Sequence, residues 1–131
     1  MKYLIKIIFS IFLLFPSISL ADWEKFFRAD DGSESYFRTD LIKFADGYYY
    51  AWVLGTNYEP EYIEGNYHRS MTIHIKIDCS VNRWGILSVN AYSKLMGLGD
   101  RLMSVDVEPA EFVWEYTEPD TMAYSLLKKI C

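Results

Sequence analysis

The sequence predicts an α+β domain, an antiparallel sheet of about six strands with a C-terminal helix packed on one face. Three observations predict it. Met71, Ile73, Ile75, Ile77 and Cys79 share one parity while Thr72, His74, Lys76 and Asp78 share the other, and strict alternation of this length means a strand with one buried and one wet face. Ala123, Leu126, Leu127 and Ile130 fall at i, i+3, i+4 and i+7, which makes one apolar stripe along a helix. Between Trp23 and Val107 the pattern stays near period two with no interleaved helix, which favours an antiparallel sheet over parallel βαβ units.

The chain opens with Lys2 and Lys6, an apolar run from Ile7 to Phe15 broken only by Ser10, and Pro16. Ser19-Leu20-Ala21 then places small residues at −3 and −1 of a cleavage site. That order is a secretory signal peptide over residues 1–21, leaving one domain over residues 22–131. Its apolar run is about half the roughly 20 residues a membrane span requires, and the mature chain offers no second one. The expectation is export to the periplasm or outer cell surface, with no transmembrane segment in the mature chain. Lys2 and Lys6 are the only charged side chains in the signal, so its removal takes the net charge from −5 to −7. A domain this acidic repels a phosphate backbone, which excludes nucleic acid as a partner.

Strands are expected at Trp23 to Arg28, Glu34 to Arg38, Tyr48 to Tyr58, Ser70 to Cys79 and Arg83 to Ser93, with a sixth within Arg101 to Val107. Asp30-Asp31-Gly32, Glu64-Gly65-Asn66 and Ser80 to Asn82 supply turn chemistry between them. Asp46-Gly47 reads as a tight hairpin joining Leu41–Phe44 to the strand from Tyr48. Glu59, Glu61 and Glu64 around Pro60 read as a solvated acidic loop, with contact to a basic partner as the functional alternative. Gly97-Leu98-Gly99-Asp100 reads as a turn, since it lacks the third glycine and following helix of a dinucleotide fingerprint. Pro119 precedes Asp120 and Thr121, either of which can cap the final helix, and Lys128 and Lys129 sit where the helix dipole favours cations.

Two cysteines, Cys79 and Cys131, lie far apart and outside any CxxC pattern. In an oxidising compartment an even count of this kind reads as one structural disulfide, worth about 4 kcal/mol for a loop this long in the chain-entropy model. Cys79 has the parity of the apolar face and Cys131 ends the helix that covers it, so the bond staples helix to sheet.

A set of spaced features follows the same path: Trp23; Tyr36, Asp40 and Ile42; Tyr50-Ala51-Trp52-Val53-Leu54; Gly65 and Ser70 before Ile77-Asp78-Cys79; Tyr92-Ser93 with Gly97-Leu98-Gly99; and Lys128 with the terminal Cys131. Over nearly the whole mature chain this resembles the surface-adhesin protein E-like domain family of exported bacterial proteins. The segment between Gly99 and Pro119, with Val105-Asp106-Val107 and Phe112-Val113-Trp114, falls outside the matching features. The resemblance implies that the sheet is curved with a helix on its back and one Cys–Cys bond. It also implies a cell-surface or periplasmic adhesin-like binding protein, with host extracellular-matrix proteins as partners and a link to haem.

Tyr48-Tyr49-Tyr50-Ala51-Trp52 is the run most suggestive of binding, because Tyr and Trp give rigid contact area at low entropic cost. Tyr48, Tyr50 and Trp52 share one face by parity, and the wet face of the long strand adds His74 and Lys76. The competing reading is that aromatics favour strands and pack across them. His68 and His74 are six strand residues apart, roughly 20 Å, too far to share one metal ion. Both read as solvated strand histidines, with His74 the one candidate for an axial haem ligand. No G-x-S-x-G, no H-E-x-x-H and no cysteine left over to pair with a histidine is present, so no catalytic residues are assigned. The expectation is a non-enzymatic binding domain without cofactor or metal, contacting a protein partner through Tyr48, Tyr50, Trp52, His74 and Lys76. The alternatives are a periplasmic envelope structural component and a small-ligand or haem binder.

Overall fold

The computed structural model describes residues 22–131, so the signal-peptide reading of residues 1–21 lies outside the described residues. Eight strands form one sheet: β1 (Glu24–Arg28), β2 (Glu34–Phe37), β3 (Lys43–Ala45), β4 (Tyr48–Ile63), β5 (Asn66–Asp78), β6 (Arg83–Tyr92), β7 (Arg101–Asp106) and β8 (Glu115–Tyr116). The one α-helix among the described residues, α1 (Met122–Ile130), closes the chain. The hydrogen-bonded order is β1-β2-β4-β5-β6-β7, all pairs antiparallel, with β3 also on β4 and β8 also on β6. The α+β expectation is met. The two strands beyond six are short ones that continue an edge: β3 lies in line with β2 along β4, and β8 in line with β7 along β6.

Local chemistry accounts for the main elements. Asp46 (φ 53°) and Gly47 (φ 87°) both have positive φ, the two-residue geometry that suits the twist of a hairpin. Glu64 (φ 49°) and Gly65 (φ 84°) repeat it at the tip of β4–β5. Thr121 is the helix cap, its hydroxyl accepting from the Tyr124 N–H at 3.3 Å, while Asp120 stands just outside at φ 63°. Lys128 and Lys129 occupy the last turn.

Alternation along β4 and β5 decides which face α1 covers. Ala51, Val53, Ile75 and Ile77 pack with Phe37, Leu126 and Leu127 in one core. Leu126 is wholly buried, which stabilises the domain by roughly 1.5–3 kcal/mol relative to an exposed leucine. Cys79 bonds Cys131 with the two Cα atoms 5.6 Å apart, as the parity of Cys79 requires.

Two expectations are corrected. The acidic segment around Pro60 is strand rather than loop: β4 runs on to Ile63 and β5 begins at Asn66, with Glu61 opposite His68 and Tyr62 opposite Tyr67. Thr56 pairs with Ser70 and Glu61 with His68, so β4 advances five residues while β5 advances two. That bulge absorbs Pro60, which has no N–H to give to a ladder. The second correction concerns the polar face of β5, which is not wet along its length: His68, Ser70, Thr72 and Asp78 are buried.

Candidate functional site

One irregular segment covers Ser70 and Thr72 and a second crosses the far end of the same face, and they define the site between them. At one end residues 93–100 fold over the sheet. Ser70 Oγ donates to the Lys94 carbonyl at 2.5 Å and accepts from the Gly97 N–H at 2.9 Å, so a serine on the polar parity fixes the segment. At the other end residues 107–117 form a strap, held where Val107 N–H donates to Leu87 O (2.8 Å) and Thr117 N–H to Asn82 O (3.1 Å). The strap lies directly on the sheet because position 85 is glycine: a Cβ there would stand 2.3 Å from Phe112 Cζ and 2.7 Å from the Val113 carbonyl oxygen.

Between these covers the face carries a ladder of rings. Register puts Trp52 opposite His74 and Tyr50 opposite Lys76. The His74 ring stacks on Trp52 with centroids 4.5 Å apart and planes 12° apart, and lies 6.2 Å from Tyr50. Tyr48 meets Trp114 of the strap at 5.5 Å, and Trp114 meets Phe112 edge-on at 4.9 Å. The Lys76 ammonium lies 4.3 Å from the Tyr48 centroid, 5.5 Å from Trp114 and 5.7 Å from Phe112. Arg83 adds a second cation 4.3 Å from Trp114. Cation–π contacts of this kind attract the ring face, so Trp114 is held between two cations. Tyr48, Tyr50, Trp52, His74 and Lys76 are all half-buried, which leaves each ring partly available and partly fixed.

The electrostatics of the ladder are uneven. Arg83 is compensated, its Nε donating to Asp78 Oδ2 at 2.9 Å. The Ser80 hydroxyl and then Arg83 hold the Asp78 carboxyl below the usual carboxylate range. Burial, and then the charge of Lys43, push His74 below its ordinary imidazole value, so the ring on Trp52 is neutral near pH 7. Among the described residues no carboxylate pairs with Lys76. The strip therefore presents flat apolar surface with two cations that no carboxylate pairs with among the described residues, Lys76 within it and Lys43 at its edge opposite Tyr50.

The five residues expected on this face are all on it. Phe112, Trp114 and Arg83 complete it without having been expected. Their signal was present: Phe112 and Trp114 alternate around Val113 in the manner of a strand face, but the segment pairs with no neighbour that sequence could identify. His68 does not join the ladder. It is 1% exposed rather than solvated, with Nε2 3.6 Å from Glu61 Oε2 and 3.5 Å from Asn57 Nδ2, at the root of the β4–β5 hairpin. Among the described residues no group of three or more His, Cys, Asp and Glu could hold a metal ion. His74 is half-buried, with Trp52 stacked on one face of its ring and Tyr50 beside it.

Comparison with known proteins gives a consistent result. The family described as Surface-adhesin protein E matches residues 23–131. No curated protein sequence matches the chain. The fold is similar to that of Haemophilus influenzae protein E in crystal form II, at 14% identity and a TM-score of 0.66, covering 88% of this chain and 91% of that one. A second structure of Haemophilus influenzae protein E gives 15% identity and a TM-score of 0.63, over 88% of each chain. Protein E from non-typeable Haemophilus influenzae gives 15% and 0.58, over 88% of this chain and 79% of that one. No helix among the described residues is long and apolar enough to cross a membrane.

Proposed function

The chain belongs to the surface-adhesin protein E family, and from that premise we propose that it is an exported, non-enzymatic binding domain that takes up a protein partner on the ladder from Trp52 to Trp114. The observation that carries the proposal is the ladder itself: Trp52, His74, Tyr50, Tyr48 and Trp114 follow one another across two strands and a strap. The rings lie on the face opposite α1 and stay half-buried, so part of each is open to a partner. Half-buried Tyr and Trp are the residues that concentrate binding energy at interfaces, and their prior fixation lowers the ordering cost of association. Lys76 gives the surface an orientation, because it favours a partner that sets a carboxylate against it.

The signal-peptide pattern of residues 1–21 and the family together support a position outside the cytosol, and host extracellular-matrix proteins are the first partner class to test. Protease shaving of intact cells, read against a periplasmic control, is the test of location. Loss of the protein with the control intact is the expected result. Survival until the outer membrane is broken would contradict the adhesin role and leave a periplasmic envelope component as the reading.

A further inference from the structure

Lysines stand on both sides of the ladder in one cross-strand row. Register sets Lys43 of β3 opposite Tyr50 of β4, and Tyr50 opposite Lys76 of β5, and residues directly opposite in a ladder share a face. Two interstrand spacings put the Lys43 and Lys76 backbones roughly 10 Å apart, with Tyr50 between them. Neither ammonium has a carboxylate partner among the described residues. Lys43 is exposed, while Lys76 lies over the rings of Tyr48, Trp114 and Phe112. Asp78, on the same face of β5, is engaged elsewhere: its carboxylate accepts from the Ser80 hydroxyl and from Arg83 Nε. In a chain of net charge −5, two uncompensated cations astride one ring of the strip are a local exception.

We infer that the partner taken up on the ladder presents an extended segment with two acidic side chains astride an apolar one. The acids meet Lys43 and Lys76, and the apolar side chain meets Tyr50. The inference rests on the docking role proposed above for this face. Charge selects the acids, because a neutral or basic segment would desolvate the two ammonium groups without pairing them. Spacing suits an extended chain, in which side chains at i, i+2 and i+4 line one side over roughly 13 Å. The flexible lysine stems absorb the difference from the row. A second copy of this domain fails the same requirement, since a two-fold contact through the strip would set lysines against lysines. A sulfated polysaccharide carries suitable charge but stacks its sugar rings on open aromatic faces. Here His74 takes one face of Trp52, and Trp114 and Lys76 lie against Tyr48, which leaves edges and slots suited to side chains.

The test is fluorescence anisotropy of a labelled peptide of repeating Asp-Ser-Leu-Ser, titrated with the exported protein at physiological salt. A repeating Lys-Ser-Leu-Ser peptide and heparin are the comparisons. Saturable binding of the acidic peptide is expected, weakened about tenfold or more by Lys43→Gln with Lys76→Gln. Lys43→Gln alone, at an exposed side chain outside the ring cluster, leaves the fold intact and is expected to weaken binding about threefold. Lys43→Arg with Lys76→Arg keeps both charges and should stay within about twofold of wild type. Lys128→Gln with Lys129→Gln makes the same charge change on α1 and should also stay within about twofold. Equal weakening by the α1 pair, equal binding of the basic peptide, binding of heparin alone or no binding would each overturn the inference. Matrix proteins titrated in parallel separate it from the docking reading. A partner lost in Tyr50→Ala with Trp52→Ala but undiminished by the lysine-to-glutamine pair overturns this inference and leaves the docking role standing. A partner kept by both variants overturns the docking role itself.

Discussion

His74 sits at the centre of the ladder, where burial and the charge of Lys43 act in the same direction on its titration. Its folded value is lowered while the unfolded value stays near 6.5, so between the two the unfolded chain binds more protons. Stability from this group is therefore present above about pH 6.5 and lost as pH falls through that value toward the folded one. Thermal melts of wild type and His74→Gln across this range check the sign: the wild type loses stability faster on acidification, and the variant has the flatter profile. Gly85 makes a sharper prediction. A methyl group there meets both the Phe112 ring and the Val113 backbone, so Gly85→Ala is expected to lift the strap and cost about 1–3 kcal/mol. The lifted strap should also take Trp114 off Lys76, red-shifting tryptophan emission before any unfolding. An unshifted spectrum at native stability would mean that the strap does not rest on the sheet.

At the scale of elements, what sequence could read followed from how locally each element is determined. The alternation of β5, the Asp46-Gly47 hairpin and the apolar stripe of α1 are set by neighbours within a few residues, and each was legible. The acidic stretch at Pro60 was not. Its pairing depends on Tyr67 and His68 reaching across the hairpin, a tertiary fact that overrides the loop-like composition. The burial of Ser70 and Thr72 was equally hidden, because residues 93–100 cover them without a period of their own. Helix α1 can be tested piecewise. Thr121→Ala removes the cap and is expected to cost about 1 kcal/mol. Replacing Cys79 and Cys131 together by alanine removes a constraint worth about 4 kcal/mol. Chemical denaturation of the two variants should give midpoints in that order, and equal midpoints would mean that the staple adds nothing beyond the helix's own packing.

The whole molecule divides its labour between two faces. One holds α1, the disulfide and the core. The other is closed at both ends by irregular segments, with a strip of rings left between them. Sequence parity found the five central residues of that strip because they lie on two long strands. It could not find Trp114 or Phe112, which arrive from a strap with no strand ladder of its own at those positions. The candidate site was thus legible where the sheet builds it and illegible where a loop completes it. The claim that this strip takes up a protein partner is tested most directly by titrating the purified domain against a panel of immobilised extracellular-matrix proteins, wild type beside Tyr50→Ala with Trp52→Ala. The account predicts saturable binding to at least one member, weakened about tenfold or more in the variant at unchanged fold. Undiminished affinity in a folded variant would contradict it.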